Sequence, residues 1–246
     1  MYRYQILVEY VGTKFIGWQK QLKGKSIQKE IENKLSKLLK QKITIYGSGR
    51  TDSGVHALEQ SAHFDSKLNI KEIKKLIKSL NFFLNPKKIS IINIYKRKKQ
   101  FHARYSVKER IYKYFIINRL AAPTLENERA WHIRKKLDIK LLKEGAKKLV
   151  GTHDFSTFRA ANCYAKSPLK KINKIKIKNI DKKIQIEFRS KSFLRNQVRS
   201  MVGCLKLLGE AKWSLEDFKS AFKAKNRSRC APPAVSDGLY LEKVIY

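Results

Sequence analysis

Cysteine is scarce: Cys163, Cys204 and Cys230 are odd in number and widely separated among 246 residues. Such a set suggests neither a disulfide framework nor a cysteine-based zinc site, and it fits a reducing cytoplasm. Acidic residues are few as well. The chain has 20 Asp+Glu against 56 Lys+Arg, a formal charge of +36. No stretch approaches the roughly 18 uninterrupted apolar residues that a membrane helix needs. The opening segment Met1-Tyr2-Arg3-Tyr4-Gln5-Ile6-Leu7-Val8-Glu9-Tyr10 alternates as a strand, without the apolar core and cleavage site of a secretory signal. The sequon-like Asn226-Arg227-Ser228 therefore has no secretory context. His56, His63, His102, His132 and His153 show no H-E-x-x-H spacing, and no Gly-Lys-Ser/Thr completes a phosphate loop. Neither a metal nor a nucleotide cofactor is expected. A lone histidine such as His153 is more often a structural hydrogen bonder than a ligand.

What is present is cation and apolar periodicity. An excess of this size attracts a polyanion, and nucleic acid is the commonest one. Part of the Lys, Ile and Asn content is what an AT-rich genome favours whatever the function, so the charge points to a partner and says nothing about chemistry. At 42% hydrophobic, 246 residues can bury a sizeable core, as one domain or two fused small ones.

The first half reads as strand 1–10, a helix with Ile27, Ile31, Leu35, Leu38 and Leu39 behind an N-cap at Ser26, then strands 43–46 and 55–64. A second helix, capped by Asn69, carries Ile70, Ile73, Leu76, Ile77 and Leu80, and strand 89–95 closes the half. The second half gives strand 110–118, a helix capped by Asp138 and ended by Gly151, and a hairpin of 172–180 and 184–189 around Asp181-Lys182-Lys183. A helix striped by Leu194, Val198, Met201, Val202, Leu205 and Leu208 stops at Gly209, a further helix starts at Ser214, and strand 239–244 ends the chain. Each half has the order β-α-β-β-α-β, the ferredoxin-like arrangement also found in RRM folds. The fold expected is thus α/β of the α+β type: two such halves, 1–105 and 106–246, sharing a mostly antiparallel sheet with a cleft across the seam, as one catalytic unit.

Three segments could carry chemistry. In Gly47-Ser48-Gly49-Arg50-Thr51-Asp52-Ser53-Gly54-Val55-His56-Ala57 a strand runs into a loop with glycines on both sides of one acid. Glycine allows positive φ and close approach of a ligand. Arg50, two residues from Asp52, favours the ionised carboxylate. Such a group is suited to attack a sugar carbon; the competing reading is a tight turn in which Asp52 satisfies backbone N–H groups. The second segment is Phe101-His102-Ala103-Arg104-Tyr105-Ser106 with Arg110-Ile111-Tyr112-Lys113-Tyr114. Tyr112, Tyr114 and Ile116 share one strand face, a stacking surface for an unpaired base or ordinary core. In the third, Phe193 to Gly203, Arg195 and Arg199 lie four apart on one predicted helix face. An arginine beside an apolar stripe wants a carboxylate partner.

Together these segments resemble the TruA family of tRNA pseudouridine synthases from Tyr10 to the C-terminus. Gly49-Arg50-Thr51-Asp52-Ser53-Gly54-Val55-His56-Ala57 is similar to that family's catalytic loop, its most specific signature. Gly17-Trp18-Gln19, Ser26-Ile27-Gln28, Phe101-His102-Ala103-Arg104, Tyr112-Lys113-Tyr114, the stretch Gly151 to Arg159, and Asn196-Gln197-Val198-Arg199 fit its other blocks. The resemblance implies the pseudouridine synthase fold, Asp52 as the catalytic aspartate, Tyr112 as a uracil-stacking and proton-accepting tyrosine, Arg50 as a helper in base flipping, and Arg199 as partner of the carboxylate. It also implies a cofactor-independent cytoplasmic isomerase acting on uridines 38, 39 and 40 of the tRNA anticodon stem-loop, and a homodimer with a tRNA lying across both subunits. Asp52 would attack the sugar or take a sugar proton on a glycal route. Asn85-Pro86-Lys87-Lys88, Val235-Ser236 and Ser200 depart from the family's commoner residues. Two rivals remain. A non-catalytic RNA-binding protein on RRM-like halves lacks the RRM signature, and a basic ribosome-associated protein leaves the glycine-framed aspartate unexplained.

Overall fold

The alternating N-terminus becomes strand β1, Tyr2–Tyr10, with Tyr4, Ile6 and Val8 turned inward and wholly buried. The computed structural model describes residues 1–246, and the chain divides into two compact units, Met1–Lys108 with Tyr240–Tyr246, and Glu109–Leu239.

In the first unit, α1 (Ile27–Leu39) follows β1, then β2 (Ile45–Gly47), β3 (His56–Ser66), α2 (Ile73–Leu84) and β4 (Ile89–Arg97). β1 lies antiparallel between β3 and β4, with Ile6 opposite both Ala62 and Ile94, and β2 pairs antiparallel with the far part of β3. The resulting order β4-β1-β3-β2 is ferredoxin-like. The final strand β10 (Leu239–Ile245) runs parallel to the start of β3, with Tyr240 opposite His56 and Leu241 opposite Ala57. Ile27, Ile31 and Leu35 of α1, with Leu76, Leu80 and Leu84 of α2, are buried at helical spacing. Each such side chain stabilises the fold by about 1.5–3 kcal/mol before chain entropy is counted. Ser26 caps α1 as expected, accepting from the Lys29 N–H. Asn69 does not cap α2. The helix begins after Glu72, because Asn69 Oδ1 is engaged by the Tyr4 hydroxyl at 3.4 Å and by Lys96 Nζ at 3.0 Å.

The second unit has β5 (Glu109–Asn118), β6 (Trp131–Ile133), α3 (Ile139–Leu149), β7 (Gly151–Asp154), β8 (Leu169–Ile180), β9 (Lys183–Ser190), α4 (Gln197–Gly209) and α5 (Leu215–Lys223). β9 lies antiparallel between β5 and β8; β6 adds in parallel to β5, and β7 adds antiparallel to β8. The β8–β9 hairpin turns through Asp181 at φ 48° and Lys182 at φ 65°. Positive φ at both central residues matches the right-handed twist of the paired strands. The short strands β6 and β7 were not expected, since three or four residues carry too little alternation to read. The start of α4 differs too. Leu194 N–H donates to Gln197 Oε1 at 2.7 Å and Asn196 adopts φ 61°, so the helix starts at Gln197. Arg195 lies outside it, and the expected Arg195–Arg199 helical face does not exist. Gly209 is the last helical residue rather than the stop; the chain leaves the helix through Glu210 and through Ala211 at φ 55°. No helix is long and apolar enough to cross a membrane.

Candidate active site

Asp52 sits in the loop between β2 and β3, partly exposed between exposed Arg50 and exposed Ser53. The loop closes on itself where the Val55 N–H donates to the Asp52 carbonyl at 3.2 Å. Gly54, third residue of that turn, has φ 79°, the left-handed value that a type II turn demands there.

Buried groups hold the loop from beneath. The hydroxyls of Tyr10 and Thr51 share a hydrogen bond of 2.8 Å, and Trp18 N–H donates to the Thr51 carbonyl at 3.1 Å. Gln60, fully buried on β3, accepts from Ser48 Oγ at 2.7 Å and donates to the Gly49 carbonyl at 3.1 Å. Gly12 N–H donates to His56 Nδ1 at 3.1 Å, and the His56 ring stacks on Tyr240 with centroids 4.6 Å apart. A Cβ on Gly12 would collide with the Val55 carbonyl oxygen, so only glycine lets the end of β1 lie against the turn. Satisfied buried polar networks of this kind fix one geometry. Sequence reading missed Tyr10, Thr51 and Gln60 as supports. The signal was there in Gln60, a polar residue on the inward face of a strand.

In the second unit, Tyr112, Tyr114 and Ile116 share one face of β5 and lie opposite Phe188, Ile186 and Ile184 of β9. Tyr114 is core. It is wholly buried, its hydroxyl donates to the Val235 carbonyl at 2.8 Å, and burial pushes its phenol well above the ordinary tyrosine range. Tyr112 is 9% exposed and meets the ring of Phe193 edge-on, with centroids at 5.2 Å. Arg199, on the first turn of α4, is half-buried; its Nε donates to the Ala234 carbonyl at 2.6 Å, and Ala234 N–H returns a bond to the Arg199 carbonyl at 3.0 Å. Arg199 and Asp237 both act electrostatically on Tyr114. The predicted residues divide between the units: Arg50 and Asp52 lie in the first, Tyr112 and Arg199 in the second.

A sequence profile described as tRNA pseudouridine synthase matches residues 6–106 and 146–246. The chain belongs to the TruA family of tRNA pseudouridine synthases. Proteins named tRNA pseudouridine synthase A are similar to it along their length: 62% identical in Pelagibacter ubique, over 100% of both chains. The corresponding protein of Maricaulis maris is 43% identical, over 100% of this chain and 98% of its own. That of Rhodospirillum rubrum is 41% identical, over 99% and 87%. A solved structure described as a Cbf5-Nop10-Gar1 complex superposes with a TM-score of 0.37 at 10% identity, over 82% of this chain and 53% of that one, too loosely to build on.

Within this synthase family member the Gly151 to Arg159 block is structural. Thr157 Oγ1 donates to the Ala221 carbonyl at 2.9 Å, Phe155 and Phe158 are buried, and His153 bonds the Val150 carbonyl at 2.9 Å. The departure at Asn85–Lys87 forms one 3-10 turn ending at Lys88. The one at Val235 supplies only its carbonyl, to Tyr114, so the substituted side chain is not part of that contact.

Proposed function

We propose that this chain isomerises uridine to pseudouridine at positions 38, 39 and 40 of the tRNA anticodon stem-loop, in the cytoplasm, with Asp52 as nucleophile. The observation that carries the reading is a single carboxylate on a turn that Tyr10, Thr51, Gln60 and Trp18 hold rigid, beside exposed Arg50, in a chain of the tRNA pseudouridine synthase family.

The uridine first leaves its stack, which costs a few kcal/mol. Arg50 assists by filling the gap or pinning the phosphate. The Asp52 carboxylate attacks C1′ and breaks the C1′–N1 bond, leaving uracil as an anion against Tyr112. The ring turns, C5 attacks C1′, and the carboxylate departs. Tyr112 takes the C5 proton while N1 gains one, so no atom is gained or lost. Arg199 supplies the cation that keeps the carboxylate ionised. Rigid placement of the turn is what makes such a sequence fast, because reacting atoms must be held near contact distance. A homodimer that lays one tRNA across both subunits completes the proposal.

Incubating the protein with an unmodified tRNA transcript tests it. Alkali-resistant carbodiimide adducts, read as reverse-transcription stops, should appear at positions 38–40 where the transcript has uridine. Their absence there would refute the assignment. Tyr112→Phe should retain tRNA binding and lose most of the rate; full rate in that variant would move the proton acceptor elsewhere.

A further inference from the structure

Beyond the loop, the Phe101–Ser106 segment builds something the reaction above does not use. It folds as a tight strap over the face of the first unit's sheet that carries Gln5, Ser61 and His63. Ala103 N–H donates to His63 Nδ1 at 3.2 Å, the Tyr246 hydroxyl donates to the Ala103 carbonyl at 2.8 Å, and Arg3 donates to the Phe101 carbonyl at 2.8 Å. Two bonds between His102 and Ser106, of 3.0 and 2.9 Å, and one of 3.1 Å from Arg104 N–H to His102 Nδ1 fix the turn itself.

The strap presents rings to solvent. Tyr46 of β2, 51% exposed, stacks on His63 with centroids 5.2 Å apart. His102 touches His63 at 4.6 Å and Tyr105 at 4.4 Å, and Tyr105 is 74% exposed. The Arg104 guanidinium lies 5.8 Å from the Tyr105 ring centre. Arg97, Lys98, Lys99 and Arg104 are exposed on and beside the strap. The acid there, Asp65, is engaged by Arg3 through two bonds of 2.8 and 2.7 Å. Exposed aromatic rings, held by a rigid backbone amid cations, are what single-stranded nucleic acid binds: bases stack and phosphates find charge. Tyr46 directly precedes Gly47, where the Asp52 loop leaves β2.

We propose that Tyr46, His102 and Tyr105 form a stacking platform for an unpaired base neighbouring the target uridine, with Arg104 and Arg97 taking the adjoining phosphates. The proposal rests on the tRNA reading above and adds to it a second base contact, outside the reaction centre, that fixes which nucleotide reaches Asp52.

The test compares binding of an unmodified tRNA transcript by Tyr105→Ala, Tyr46→Ala, their double variant and Tyr105→Phe. Losing one stacked base should weaken binding about tenfold or more, and Tyr105→Phe, which keeps the ring, should restore it. A 4-thiouridine-substituted transcript should crosslink within residues 102–105 or at Tyr46, mapped by mass spectrometry. Wild-type affinity in the double variant, or a loss that Tyr105→Phe does not restore, overturns the platform. Pseudouridine formation by the wild type is scored in parallel. Its absence would sink the reaction assignment and leave the binding comparison standing.

Discussion

His63 shows how far one residue's surroundings set its chemistry. Burial first, then the positive charge of Arg3, lowers its pKa from 6.5 to about 4, so the ring is neutral in the folded protein near pH 7. In the unfolded chain it protonates near its ordinary value. Between about pH 6.5 and about 4 the unfolded state therefore binds more protons, and folding stability falls as pH falls. Melting temperature should be flat above about pH 7 and decline through that window, and His63→Gln should flatten the decline. Asp65, whose carboxyl Arg3 holds below its usual range, adds a separate loss further into acid. A melting temperature in the wild type that is unchanged down to pH 4 would contradict this burial. Gly12 is the second sensitive position. Its substitution by alanine forces the Val55 carbonyl aside and should destabilise by about 1–3 kcal/mol. Turnover should drop further than stability alone explains, since the turn bearing Asp52 moves; calorimetry and single-turnover rates separate the two.

At the scale of elements, caps and stripes follow the sequence closely. Ser214 and Asp217 form a reciprocal capping box at the start of α5. Ser214→Ala should lower stability by about 1 kcal/mol in a chemical denaturation series, with pseudouridine formation at the wild-type level. The helix start at Ser214 was legible because a polar cap before an apolar stripe is a local signal, as were Ser26 before α1 and Asp138 before α3, whereas the return bond from Asp217 was not read. The failures lie at helix ends. Asn69 and Leu194 look like helix starts by local rule, but hydrogen bonds with distant or neighbouring side chains accompany starts after Glu72 and Asn196, while α4 runs through Gly209 and is closed by backbone bonds from the Glu210 N–H. The Asp52 loop was legible as a motif of glycines around an acid. Its supports, apart from the inward-facing polar Gln60, were not, because Tyr10 reaches Thr51, and Gln60 reaches Ser48 and Gly49, only when β1, β3 and the loop are packed together. Tyr114 shows the opposite case: strand alternation put it beside Tyr112, both rings are buried, and only the packed structure shows Tyr114 wholly enclosed with its hydroxyl on the Val235 carbonyl.

For the whole molecule the dominant quantity is the charge of +36. Its effect belongs to binding. Affinity for tRNA should fall about 10³-fold between about 50 and 200 mM salt, the loss expected for roughly six phosphate contacts, whereas the rate of bound substrate should change little. An affinity independent of salt would contradict an electrostatic grip. The proposed chemistry rests on something smaller, the carboxylate that the turn after β2 presents. The most direct measurement is pseudouridine formed in a tRNA transcript by purified Asp52→Ala protein, alongside its tRNA affinity. Binding close to wild type with no product is the predicted result; turnover near the wild-type rate would contradict the account.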